Sequence, residues 1–282
     1  METMRRVRRT ASGYGVHSRT RPGQVRVDIL IGILVACVVC PVPVRSQSRD
    51  AAGCWSERMR AAGAIAEQRP GTVAVAVITP DGQQFGLRAH RPVATASLLK
   101  TTLLLGYLGQ PRVRDRRLAG PEQRRRAATI RRSDDRATEQ ILRRLTAQTV
   151  AQAARRSGQR AFHFNSRVWG ASRTTARDQA RLMITIEHAL PRRHRAYGMR
   201  LLRTVAKPQR WGLTVAAPQG TRIWFKGGWG SGTGRVAHQA ARLDTGWRIW
   251  SVAVMTTDSP SHAVAVSTVE RIGRVVLGDG PC

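Results

Sequence analysis

Strand-like apolar segments lie toward both ends of this chain, and helical segments fill the middle. That order restricts the folds open to it. Residues 72–78, Thr-Val-Ala-Val-Ala-Val-Ile, read as a buried strand. Asp81-Gly82 is a hairpin turn signal, and residues 84–88 are the returning strand. Toward the C-terminus, residues 221–225, 234–243 and 247–256 read as three more strands, with Thr245-Gly246 turning between the last two. Helices are expected over 51–68, 94–106, about 191–205 and 261–277. Residues 120–190 read as mainly helical, with interruptions at Ser133, Gly158 and Trp169-Gly170, and Thr174-Thr175 as the N-cap of 176–189. The two ends can therefore share one antiparallel sheet covered by helices, while the middle forms an all-helical lobe. The fold class is α/β, and a cleft between two lobes is where a site is expected.

The 282 residues carry a formal net charge of +31. Such a charge suits a polyanionic partner. Yet the arginines run from Arg5 to Arg274 without forming a stripe, only 5% of residues are aromatic, and no nucleic-acid motif occurs. The excess reads as a compositional preference for arginine, and no nucleic-acid partner is expected. Against that preference, only Lys100, Lys207 and Lys226 are lysines among 48 basic residues. Arginine does not lose its proton in proteins, whereas a buried lysine shifts its pKa readily and can act as a base. Lys100 and Lys226 therefore mark positions where arginine would not serve.

The first fifty residues read as a leader and linker, with the folded domain at 51–282. Arg5, Arg6, Arg8 and Arg9 open a basic stretch, and the apolar run 29–39 is too short to span a bilayer but suits the h-region of a signal peptide. Leu34-Val35-Ala36-Cys37 resembles a bacterial lipobox, with Cys37 the lipidated residue. An extracytoplasmic location follows, either secreted or membrane-anchored. Cys54 and Cys282 bracket the domain; they are either bridged, as an oxidising compartment permits, or two free thiols.

Three short motifs carry chemistry. Ser97 and Lys100 stand three residues apart at the start of a helix, on one face, so the amine can reach the hydroxyl and activate it as a nucleophile. Ser133-Asp134-Asp135 falls in a break between helices; Ser133 can pass a proton and Asp135 can bond Lys100 or a substrate amide. Lys226-Gly227-Gly228 falls at the end of a strand, where small residues admit a substrate backbone and Lys226 offers a charge to a carboxylate. No His/Cys/Asp spacing suggests a metal and no glycine-rich phosphate loop is present, so no cofactor is expected.

In this order the motifs resemble those of the penicillin-recognising serine hydrolases, specifically the class A β-lactamase-like branch, whose pattern is Ser-x-x-Lys, Ser-Asp-Asn, Lys-Thr-Gly. The resemblance covers about residues 51–282. Thr174-Thr175-Ala176 and Trp211-Gly212-Leu213 extend it, the latter resembling actinobacterial members. It implies that Ser97 is acylated, Lys100 is its base or relay, Ser133 is the proton shuttle and Lys226 anchors the substrate carboxylate. It implies an oxyanion site between the N–H groups of Ser97 and Trp229, beside Gly228. It implies terminal helices packed side by side, which would allow a Cys54–Cys282 bridge.

Three departures stand out: Asp135 replaces Asn, Gly227 replaces Thr, and no Glu-x-x-Leu-Asn occurs. After Asp135 the only glutamates are Glu139, Glu187 and Glu270. In the family that missing Glu activates the deacylating water. The resemblance thus implies a monomeric exported hydrolase that acylates on a β-lactam and deacylates slowly. The alternatives are a D-alanyl peptide hydrolase or transpeptidase of the cell wall, or a degenerate wall-binding relative. The expected partner is a small β-lactam or a cell-wall peptide, with the membrane reached through the leader or its lipid.

Overall fold

The structure is a computed structural model that describes residues 44–282 apart from 231 and 233. The apolar run 29–39 and the lipobox Cys37 lie outside the described residues.

Helix α1 (Val44–Glu67) leads into β1 (Thr72–Ile78) and β2 (Gln84–Leu87). It starts ahead of residue 51, where the alanine-rich spacing begins. Gly82 turns the hairpin with φ of 84°. A two-residue strand β3 (Val93–Ala94) precedes a 3-10 turn (Ala96–Leu98) and helix α2 (Leu99–Leu108). There follow α3 (Pro111–Arg114), α4 (Gly120–Ala127), a π-turn (Ala128–Arg132), α5 (Asp135–Leu142) and α6 (Ala147–Arg156). A loop carrying the 3-10 turn Trp169–Ala171 and strand β4 (Arg173–Thr174) leads to α7 (Ala176–Ala189), α8 (Arg195–Arg203) and α9 (Leu213–Ala216). The chain closes with β5 (Arg222–Gly230), β6 (Val236–Asp244), β7 (Ile249–Thr257) and α10 (His262–Leu277).

The two ends do share one antiparallel sheet, in the order β2-β1-β7-β6-β5. The joint is β1 against β7, with Thr72 opposite Thr257 and Ile78 opposite Ser251. Because successive strand residues face opposite ways, β1 sorts its run by size. Val73, Val75 and Val77 join Trp55, Trp250, Val269 and Ile272 under α1 and α10. Ala74 and Ala76 face the other way, with Ala240 and Ala253, against Ala176, Ala180 and Met183 of α7. The small residues let that helix lie close to the sheet. A third cluster fills the helical lobe around α2, all ten residues of which are buried. A helix buried on every side belongs at the centre of its lobe.

Beside each other, α1 and α10 are tied by a Cys54–Cys282 disulfide. Arg58 reinforces the joint by donating to the carbonyls of Val276, Leu277 and Gly280 at the end of α10. Of the two alternatives open for these cysteines, the bridge is the one formed.

Two local expectations are corrected. Residues 157–175 hold almost no helix. Gly158 (φ 79°) ends α6, and the buried Asp178 carboxylate captures the N–H groups of Arg160 and Ala161 at 2.9 and 2.7 Å. The strand expected to stop at Phe225 runs on to Gly230, since Lys226 to Gly230 stay in register with β6. Glycines lower strand propensity, but pairing to β6 overrides that.

Candidate active site

Ser97 sits in the 3-10 turn, just before α2 rather than inside it. Ala96, preceding it, has φ of 43°. For a residue with a Cβ this left-handed backbone is strained, and such strain gathers at functional sites. The turn is held on three sides. Thr95 N donates to Ser172 O at 2.7 Å. His238 on β6 bonds Ala94 O through Nε2 at 3.0 Å. Gly228 lies directly against the turn: a Cβ there would stand 2.9 Å from Leu98 N and 3.1 Å from Ser97 N. The second glycine of Lys226-Gly227-Gly228 is therefore required by the packing of β5 on the nucleophile's turn. That was not legible in the motif, which pointed only to space for substrate.

The second motif divides its labour. Asp134 is the N-cap of α5, accepting from Ala137 N at 2.7 Å. Ser133 ends the π-turn in the left-handed region, with φ of 56°. It is thereby turned away from the helix, and Asp135 opens the first turn of α5 beside it.

Lys100, Ser133, Asp135 and Lys226 converge. Lys100 Nζ donates to Ser133 O (2.6 Å), Ser133 Oγ (3.1 Å) and Asp135 Oδ1 (2.6 Å). The Trp169 ring lies over the same amine at 5.2 Å. Lys226 Nζ lies 3.0 Å from Ser133 Oγ and donates to Gly227 O at 2.6 Å, with the Trp229 ring at 5.8 Å. Two amines thus share one hydroxyl. Lys100 is 0% exposed and Lys226 1%. Asp135 stays largely open to solvent, at 67% side-chain exposure. Among the described residues no hydrogen bond joins Ser97 Oγ to Lys100 Nζ: the helical spacing placed them on one face, but the amine is spent on Ser133 and Asp135.

Burial lowers Lys100 from the ordinary lysine value, while Asp135 and then Asp134 work against that shift. Burial pushes Lys226 well below the ordinary value, and the neighbouring Lys100 adds to it. Two full charges within about 6 Å, at an effective dielectric near 20, would repel by about 3 kcal/mol. The second proton on this pair is correspondingly loose.

Among the described residues no glutamate takes the place of the one missing from the sequence. Glu187 pairs with Arg242 at 2.8 Å, Glu270 accepts from Gly212 N at 3.3 Å, and Glu139 is exposed on α5. The 157–175 loop is held by the buried Asp178 carboxylate and by amide side chains. Gln159 donates to Thr102 and Ser157, and Gln179 donates to Gln159 and Thr174. Trp169 and His238 were missed by sequence reasoning. Neither belongs to a motif, and each reaches the site only through long-range packing. Among the described residues no group of three or more His, Cys, Asp or Glu side chains could hold a metal.

Together, a serine at a strained turn, two buried lysines on one shared hydroxyl and an edge strand beside them define a serine-hydrolase-type site on a mixed α/β frame. A profile described as the beta-lactamase enzyme family matches residues 126–278, more than half of the chain, and the chain belongs to that family. Solved structures agree on the fold. An ancestral (GNCA) class A beta-lactamase is 20% identical with a TM-score of 0.67, covering 78% of this chain and 98% of its own. A beta-lactamase from Sphaerobacter thermophilus is 20% identical with a TM-score of 0.68, covering 79% and 96%. A variant of the last common ancestor of Gram-negative bacteria class A beta-lactamase is 18% identical with a TM-score of 0.68, covering 78% and 96%. No curated protein shows a significant match.

Proposed function

We propose that the chain is an exported acyl-serine hydrolase whose substrate is a β-lactam or a related amide, and whose acyl-enzyme is long-lived. One observation carries this reading: Lys100, Ser133 and Lys226, drawn from three separate elements, meet around a single hydroxyl, and Gly228, on the same strand as Lys226, lies against the Ser97 turn. In the proposed step Ser97 attacks the amide carbonyl, and Ser133 relays its proton toward the leaving nitrogen. The Ser97 N–H, next to Gly228, and the Trp229 N–H receive the developing oxyanion. A substrate carboxylate rests near Lys226 and Ser133.

Slow deacylation follows from the loop over Lys100. Its Trp169 ring lies over Lys100, and the Glu-x-x-Leu-Asn that would supply a water-activating carboxylate is missing from the sequence. That same observation favours a second reading, a D-alanyl peptide hydrolase or transpeptidase, in which an amine rather than water accepts the acyl group. The Cys54–Cys282 bridge supports export, because such bonds persist in oxidising compartments.

The test is intact mass over time after adding a penicillin, with Ser97→Ala alongside. A persistent adduct present in the wild type and absent from Ser97→Ala is the expected result. Rapid release of penicilloate would mean that an efficient deacylating base exists. The absence of an adduct with any of several lactams would favour a wall-binding relative without catalysis.

A further inference from the structure

We propose that Lys226, rather than Lys100, takes up the proton of the nucleophile, receiving it through the Ser133 hydroxyl. This rests on the reading that Ser97 is acylated.

The two lysines differ in how their donors are used. An ammonium has three N–H groups and no lone pair; a neutral amine has two and one. Lys100 has three acceptors, Ser133 O, Ser133 Oγ and Asp135 Oδ1, and one of them is a carboxylate. It is saturated as an ammonium and has nothing with which to accept. The Trp169 ring over it also suits a cation. Lys226 has two polar partners and, among the described residues, no carboxylate within 4.0 Å. Gly227 O must accept, which uses one N–H. Ser133 Oγ already accepts from Lys100, so its own proton is free to point at Lys226. A neutral Lys226 satisfies every group: N–H to Gly227 O, lone pair to the Ser133 hydroxyl. The hydrogen bonds then run one way, from Lys100 to Ser133 to Lys226.

The charged and titratable groups around Lys226 are consistent with this. Lys100 on α2 repels a charge there; Asp135 on α5 works against that shift but is itself bonded to Lys100, and Asp134, the N-cap of α5, acts on Lys100. His238 on β6, opposite Gly228, is neutral. Arg210 lies over the ring of Phe225, the preceding strand residue, and adds no negative charge. Burial acts in the same direction.

The step balances without a co-reactant. As the Ser97 Oγ–C bond forms, the Oγ proton passes to Ser133 Oγ, whose own proton passes to Lys226 Nζ. The resulting ammonium returns a proton by the same route to the amine nitrogen freed when the amide C–N bond breaks. The Asp135 departure from the family's Asn is then the cause of the exchange, because it holds Lys100 charged.

Three lysines in the whole chain make a direct test simple. With 13C-labelled lysine, Cε shifts of Lys100, Lys207 and Lys226 are followed against pH, with signals assigned by Lys207→Arg and Asp135→Asn. Lys226 is expected to titrate well below the ordinary lysine range while Lys100 stays charged. In acylation by a fluorescent penicillin, Lys226→Arg keeps the charge but cannot accept a proton, and is expected to lose about 100-fold or more. Adding Asp135→Asn to it frees Lys100 and is expected to restore at least tenfold. A Lys226 signal titrating in the ordinary lysine range, or Lys226→Arg within threefold of wild type, overturns the proposal. The lysine titration uses wild-type protein and no substrate, so it stands even if Lys226→Arg does not fold. Failure of the wild type to form an adduct overturns the acyl-serine reading, and this step with it, whatever the titration shows.

Discussion

Replacing Gly228 with alanine adds one methyl group at the closest approach between the sheet and the nucleophile's turn. That methyl would stand 2.9 Å from Leu98 N and 3.1 Å from both Ser97 N and Thr95 O. Favourable contacts to carbon begin near 3.5 Å, so relief requires a shift of about 0.6 Å. All three obstructing atoms are backbone and cannot rotate away. The turn they belong to is pinned by Ser172 O and by His238, and is already strained at Ala96. Overpacking of this kind destabilises by about 1–3 kcal/mol. Alanine also restricts the unfolded chain, which offsets about 0.4–1 kcal/mol. The net expectation is a loss of about 1–2 kcal/mol, or roughly 2–8 °C in Tm for a domain of this size. The larger effect is on chemistry, because a displacement of 1 Å at a reacting atom costs about 100-fold. Acylation by a fluorescent penicillin is expected to slow by about 10- to 100-fold. Gly227→Ala is the control. Its methyl would meet a Trp211 ring carbon at 3.4 Å and His238 O at 3.7 Å, close to ordinary contact. It is expected to leave stability within about 0.5 kcal/mol and acylation unchanged. Wild-type Tm and wild-type acylation in Gly228→Ala would refute the reasoning, because β5 would then not press on the Ser97 turn.

Two further outcomes concern stability. Replacing Cys54 and Cys282 together by alanine opens a loop with a sequence separation of 228 and is expected to cost about 2–5 kcal/mol; a denaturant midpoint unchanged from the oxidised wild type would contradict this. His238 is buried, with Nε2 on Ala94 O and Nδ1 accepting from Thr256 N at 3.2 Å, and burial lowers it to about 4. A base whose folded value lies below its unfolded value near 6.5 is protonated more readily when unfolded. Stability is therefore complete above pH 6.5 and falls as pH drops toward 4, by about 3 kcal/mol in all. Unfolding free energies measured from pH 7 to 4 should show this slope in the wild type and lack it in His238→Gln; equal slopes would sink the assignment.

Much of the architecture was legible in the residues themselves. The Val/Ala alternation of 72–78, the Asp81-Gly82 turn, the Thr175 cap of α7 and the order of three motifs depend on contacts within a few positions, and short-range patterns record those. The strand boundary at Phe225 failed because pairing with β6 outweighs the low propensity of glycine. The helical reading of 157–175 failed because Asp178, outside that segment, holds its backbone. At the site, sequence supplied Ser97, Lys100, Ser133, Asp135 and Lys226 as candidates, and the rarity of lysine singled out two of them.

By itself the sequence determined which side chains with the right chemistry exist, and in what order along the chain. Only the tertiary structure decided which of them touch. Lys100 reaches Ser133 across 33 positions and Lys226 reaches it across 93. Such contacts depend on helix rotation, strand register and the closeness of two backbones at Gly228. No local pattern encodes those quantities, because they are set jointly by the packing of every element around them.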